Sequence, residues 1–112
     1  MKVRFYTVFI SLLLCFSQIK ADSTLNVVVS IKPYHSLVSG VMLDVVPPEL
    51  LLKGNLSPHR YSLKPSEAEL LQNADIVFWG GENLELFLAK PLSSLSKKGH
   101  IFSMLGIKGI KL

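Results

Sequence analysis

Apolar runs separated by polar turns predict four strands along this 112-residue chain. The β-branched run at residues 25–31 is almost wholly apolar, as expected for a strand that is covered on both faces. A second strand region is predicted at residues 43–46 and 49–52, and Pro47-Pro48 places it at a bend or at a sheet edge. Two further strands are predicted at residues 76–79 and 100–104.

Apolar residues spaced three and four apart predict a helix after each of the first three strands. The first spans residues 34–42. The second begins at a predicted capping box of Ser66 and Glu69 and stops at residues 73–75. The third carries Leu84 and Leu88 and ends at Lys90-Pro91. The resulting β-α-β-α-β-α-β order predicts an α/β fold, a parallel sheet with flanking helices, that lacks a closing helix.

The N-terminal residues 1–21 have the order of a secretory signal peptide: a basic start, an apolar core at residues 5–16, and a polar end at Ala21. We expect cleavage there and one domain over residues 22–112. The alternative is a short membrane anchor or a buried N-terminal helix. Cys15 lies inside the apolar core, so the exported chain would contain no cysteine, and any metal site would use histidine, carboxylate or water.

The N-terminal segment accounts for most of the net positive charge of the chain. The formal net charge is +4, and removal of Lys2, Arg4 and Lys20 would leave the exported chain close to neutral. The sequence also has no dense basic run, so nucleic-acid binding loses its main electrostatic support.

His59 is the main candidate for chemistry, because it lies on a loop between a predicted strand and a predicted helix and is flanked by Pro58 and Pro65. A neutral imidazole is a good ligand for zinc or a related cation. The alternative is an exposed histidine or one bonded to a carbonyl group. For His35 we expect a capping or packing role, and for His100 a structural or exposed position.

The sequence offers little support for an enzyme. It contains no Gly-x-Ser-x-Gly elbow and no phosphate-binding loop. The capping box accounts for Glu67 and Glu69, and a solvated helix face accounts for Glu82 and Glu85. Trp79 is expected in the core.

The order of several short motifs resembles the periplasmic zinc-binding proteins of bacterial ABC importers. These motifs are VVVSIKP at residues 27–33, SPHRYSLKPS at residues 57–66 and LLQNADIVFW at residues 70–79, followed by Gly81, Glu85 and Phe87. The resemblance extends from about residue 25 to residue 104.

The resemblance implies that His59 binds the metal and that the chain is a truncated, partial N-terminal lobe of a two-lobed receptor. It also implies zinc as the transported ligand, a membrane permease as the partner and the periplasm as the location. The remaining ligands and the helix that joins the lobes belong to later parts of a longer chain. Pro58 occupies a position where some members carry a carboxylate that can approach the metal. Manganese or iron remains an alternative metal, and a non-binding exported remnant or interaction module remains an alternative function.

Overall fold

A parallel four-stranded sheet forms the centre of the protein. The computed structural model describes residues 24–54, 57–95 and 99–109. The predicted signal peptide at residues 1–21 lies outside them. The strands are β1 (Val27–Val29), β2 (Glu49–Leu50), β3 (Ile76–Trp79) and β4 (His100–Ser103).

Three α-helices connect these strands. They are α1 (Lys32–Val41), α2 (Pro65–Asn73) and α3 (Leu86–Leu95), and a 3-10 helix over Pro58–Arg60 precedes α2. In the part of the chain that the structure describes, no helix has both the length and the hydropathy to cross a bilayer.

The strand order is β2-β1-β3-β4, and every neighbouring pair is parallel. Val28 of β1 is in register with Glu49 of β2 and with Val77 of β3. On the far side of β3, Phe78 is in register with Phe102 of β4, and their rings stack with centroids 5.4 Å apart. The predicted α/β fold with a parallel sheet is therefore confirmed.

Helices cover both faces of the sheet. Successive side chains of β1 point to opposite faces, so they pack in two different clusters. Val28 packs in one cluster with Leu71 of α2 and Leu88 of α3. Val27 and Val29 pack in a second cluster with Val38 of α1. Among the described helices, α2 and α3 therefore cover one face and α1 covers the other. Trp79 belongs to the first cluster and is only 9% exposed, as expected.

The predicted strand at residues 43–46 is wrong. The N–H of Val45 donates to the carbonyl oxygen of Met42 over 3.0 Å, which makes a turn after α1, and both Leu43 and Val45 are exposed. Val46 alone in this segment packs against the second cluster, so the apolar character of Leu43 and Val45 does not reflect burial against the sheet. Only Glu49–Leu50 forms β2, at the sheet edge where Pro47-Pro48 had placed it.

The predicted end of the third helix at Lys90-Pro91 is wrong. Pro91 lies inside α3, which continues to Leu95. Proline in a helix interior costs about 3 kcal/mol. Leu92, which is 3% exposed in the main cluster, gains about 1.5–3 kcal/mol by burial. Tertiary packing of comparable size thus extends the helix past its local stop signal.

Candidate metal centre

The 3-10 helix Pro58–Arg60 places the backbone of His59 beyond the carboxyl end of β2. It contacts α3, which follows the carboxyl end of β3. The carboxyl ends of parallel strands lie at one edge of the sheet, where open α/β sheets hold their ligands. The side chain of His59 lies outside the described part of the structure, so its role as a metal ligand stays a prediction.

Tyr61 fixes the chain immediately after this 3-10 helix. Its hydroxyl donates a 2.6 Å hydrogen bond to Oε1 of Glu67. Its ring meets Phe87 of α3 edge to face, with centroids 5.4 Å apart and planes at 75°. The bond to Glu67 is the main reason that the pKa of Tyr61 lies above its usual value of 10.0. The segment that carries His59 is therefore tied to both α2 and α3.

The N-terminus of α2 differs from the predicted capping box of Ser66 and Glu69. The helix begins at Pro65, and the carboxylate of Glu67 accepts the N–H of Lys64 over 2.9 Å. The reason is that Pro65 has no N–H and a fixed φ, which suits the first helical position. Glu67 is thereby third in the helix, and it is only 8% exposed.

Glu85 is fully buried, and its predicted place on a solvated helix face is wrong. Its Oε2 atom accepts hydrogen bonds from the Ser30 hydroxyl, over 2.9 Å, and from the N–H of Gly80. Its Oε1 atom has no hydrogen-bond partner among the described residues. Burial raises the pKa of this carboxyl group above 4.5, although the two hydrogen bonds oppose that effect. Glu82, by contrast, is exposed as expected.

The burial of Glu85 has a signal in the sequence that the prediction missed. Glu85, Leu88 and Leu92 recur at i, i+3 and i+7, which is the spacing of one helix face. Leu88 and Leu92 are both core residues. Glu85 therefore lies on the same buried side as Leu88 and Leu92. It was predicted to be solvated because its side chain is polar.

His35 does not cap α1, whose N-cap is Ile31, and is instead half-buried inside the helix, whereas His100 is exposed, one of the two positions expected of it. Nε2 of His35 donates to the carbonyl oxygen of Pro48 over 2.9 Å, and its Nδ1 lies 3.5 Å from the Ser39 hydroxyl. His100 is exposed at the start of β4. Within the described residues, no group of three or more histidine, cysteine, aspartate or glutamate side chains is arranged to hold a metal ion.

Comparison with known proteins gives one consistent family. The family described as "Zinc-uptake complex component A periplasmic" matches residues 27–111. The "High-affinity zinc uptake system protein ZnuA" of Brucella abortus is 46% identical over 85 residues, covering 76% of this chain and 25% of the relative. The protein of the same name from Yersinia pestis is 39% identical over 75 residues, covering 67% of this chain and 24% of the relative.

Solved structures agree with this result. The Zn(II)-bound ZnuA-like domain of Streptococcus pneumoniae AdcA superposes with a TM-score of 0.68 at 27% identity, covering 80% of this chain and 33% of that one. A Mn-bound periplasmic metal binding protein from Candidatus Liberibacter asiaticus gives 0.65 at 25% identity, covering 77% of this chain and 32% of that one.

The chain spans about a quarter of the length of the curated relatives that it matches. Those relatives are named for zinc uptake rather than for an enzymatic reaction. The family match nevertheless runs through β1, β2, β3 and β4 and includes the segment with His59. The chain therefore belongs to the family of the periplasmic component A of zinc-uptake complexes.

Proposed function

We propose that this chain is the metal-binding part of the N-terminal lobe of a periplasmic zinc receptor that delivers zinc to an ABC permease. The main supporting observation is the placement of the His59 backbone beyond the carboxyl end of β2, between two anchored stretches of chain. His59 supplies one imidazole. The names of the relatives in Brucella abortus and Yersinia pestis support zinc as the cargo.

The site needs ligands besides His59. Protein zinc sites use three or four ligands, so one imidazole leaves the other positions to water or to groups outside the described residues. Manganese is an alternative metal, because one of the similar solved structures contains it, and iron is another. In this proposal, export by the predicted signal peptide at residues 1–21 places the protein in the periplasm.

Calorimetric titration of zinc into the full chain tests the metal-binding proposal. We expect binding by the wild type, loss of binding in His59→Ala, and no change in His100→Ala, which alters an exposed histidine at the start of β4. A parallel titration with manganese compares the two metals. Absence of zinc binding by the wild type, or equal binding by all three proteins, would contradict the proposal.

A second candidate is a module that binds another protein through apolar surface. Leu37 and Val41 of α1 are 61% and 87% exposed, and Phe102 of β4 is 48% exposed. Surfaces of this kind mark interaction sites when they are contiguous. If this chain associates through these exposed side chains without binding zinc, Leu37→Ser will reduce the molecular mass measured by sedimentation. An unchanged mass argues against this candidate.

A further inference from the structure

The sheet has a switch point between β1 and β3. The chain leaves β1 toward β2 on one side and later enters β3 on the other side. The helices that follow β1 and β3 lie on opposite faces, α1 with Val29 and α3 with Val77. Such connections separate at the carboxyl ends of the two strands and open a crevice there. Ser30 and Gly80 are the residues that directly follow β1 and β3 at this point.

The carboxyl group of Glu85 joins the two strands at the switch point. A single oxygen, Oε2, accepts the Ser30 hydroxyl and the Gly80 N–H. The residue after β3 has to be small for this to happen, since a Cβ atom on Gly80 would lie 3.1 Å from Oε2 and 2.8 Å from Cδ2 of Leu84. Loss of the carboxyl group would leave the buried Gly80 N–H without this acceptor, which is costly in a protein interior.

Through Ser30, Glu85 contacts the part of the chain that leads into the 3-10 helix. The carbonyl oxygen of Ser30 accepts the N–H of Leu52 over 3.0 Å, and the carbonyl oxygen of Val29 accepts the N–H of Leu51 over 2.8 Å. Leu52 is 3% exposed, whereas Lys53 and Gly54 after it are exposed. Glu85 therefore holds Leu52, the point where the chain leaves the core, through the main chain of Ser30.

Through the first turn of α3, Glu85 is also linked to the part of the chain that leaves the 3-10 helix. Glu85 directly precedes α3, and its carbonyl oxygen accepts the N–H of Leu88 over 2.9 Å. Phe87, in that same first turn, packs against the ring of Tyr61. The position of Glu85 thus also sets the surface on which Tyr61 rests.

We propose that Glu85 is a positioning residue for the segment between Leu52 and Tyr61, which carries His59. One buried carboxyl group holds the upstream end of the segment through Ser30 and the downstream end through the first turn of α3. The effect on metal affinity rests on the proposed function. The positioning itself can be measured without metal.

Amide hydrogen exchange and NMR shifts in the full chain test the positioning. In Glu85→Ala we expect the Leu52 amide to exchange at least about tenfold faster by local opening, and the Tyr61 amide shift to change. The amide of Leu71, a core residue of α2, should keep its exchange rate. Glu85→Gln should restore most of the protection because its carbonyl oxygen can accept both hydrogen bonds. The matched control is Glu82→Gln, which alters an exposed glutamate of the same turn and should change nothing.

Zinc titration of the same variants supplies the functional measurement. We expect zinc to bind about tenfold more weakly to Glu85→Ala, as for other residues that orient metal ligands. Glu85→Gln should recover most of the affinity, and the signal of the His59 imidazole should respond to zinc as in the wild type. If the wild type binds no zinc, the proposed function fails, and hydrogen exchange alone then decides the positioning role.

Unchanged exchange at Leu52 in a folded Glu85→Ala protein would overturn the proposal, as would an equal change in Glu82→Gln. If Glu85→Ala does not fold, Ser30→Ala provides the test, because it removes one of the two hydrogen bonds and creates little space. Faster exchange at Leu52 in Ser30→Ala supports the proposal, and wild-type exchange there refutes it.

Discussion

The hydroxyl group of Tyr61 lies 2.6 Å from Oε1 of Glu67, while Oε2 of the same carboxylate accepts the N–H of Lys64. One glutamate therefore both caps α2 and fixes the residue that follows the 3-10 helix of His59. This arrangement connects the stability of a helix terminus with the geometry of the proposed metal site.

Replacement of Glu67 by alanine should destabilise the protein by about 1 kcal/mol, the usual cost of losing a helix cap. The N–H of Lys64 and the hydroxyl of Tyr61 would both lose their acceptor. Urea denaturation measures the change. Glu69→Ala is the matched control, since Glu69 is exposed in the same helix. Equal destabilisation by the two variants would show that Glu67 is not the cap.

The phenol of Tyr61 should ionise above the ordinary pKa of 10.0, mainly because it donates to Glu67. Glu67→Gln removes the carboxylate charge and should lower this pKa toward 10.0. Ultraviolet titration of tyrosinate, with Tyr61→Phe to identify the signal, gives the measurement. An identical Tyr61 titration in the wild type and in Glu67→Gln would mean that this hydrogen bond is not maintained in solution.

Glu85 should make folding stability decrease as the pH rises. Its pKa is raised above 4.5 in the folded protein, chiefly by burial. Between the two pKa values the folded state therefore holds a proton that the unfolded state releases. The resulting stabilisation is complete below about pH 4.5 and is lost as the pH rises through the folded pKa.

Glu85→Gln has no carboxyl group to titrate, so its free energy of unfolding should lack this decrease with rising pH. Urea denaturation of both proteins over a series of pH values, from about 4 upward, gives the difference between them. A wild-type stability that rises relative to Glu85→Gln over this range would contradict the expectation.

Any residue other than glycine at position 81, in the turn after β3, should strain the backbone. Gly81 has φ +111°, and a Cβ atom there would lie 2.8 Å from Oγ of Ser103. Gly81→Ala should therefore cost about 1–3 kcal/mol. Gly40 in α1 has nothing within 4 Å of an added Cβ, so Gly40→Ala should stabilise the protein by up to about 1 kcal/mol. Thermal unfolding of both variants checks the contrast, which fails if the two midpoints move in the same direction.

Several elements could be predicted from the sequence because their signals are local. The strand β3 was predicted at its observed bounds, since four apolar residues lie between Asp75 and Gly80. The helices were predicted in the right order, although α1 and α2 begin earlier than expected and α3 begins at Leu86, after the predicted Leu84. Pro33 and Pro65 are tolerated in a first helical turn, so a proline before an apolar stripe can lie inside the helix rather than before it.

The amino-acid pattern by itself determined the fold class, because alternating buried strands and amphipathic helices have few ways to cover both faces of a sheet. It also picked out His59 as the candidate ligand, a prediction that remains to be tested. The spacing of Glu85 with Leu88 and Leu92 carries a local signal for its burial, and only the tertiary structure decided which groups it holds. The hydrogen bonds of Glu85 join residues 30 and 80, which are distant in sequence and become neighbours only when β1 and β3 pair. Hydrogen bonds of that kind leave no periodic trace in the chain, and they are the contacts by which we propose that Glu85 positions the segment with His59.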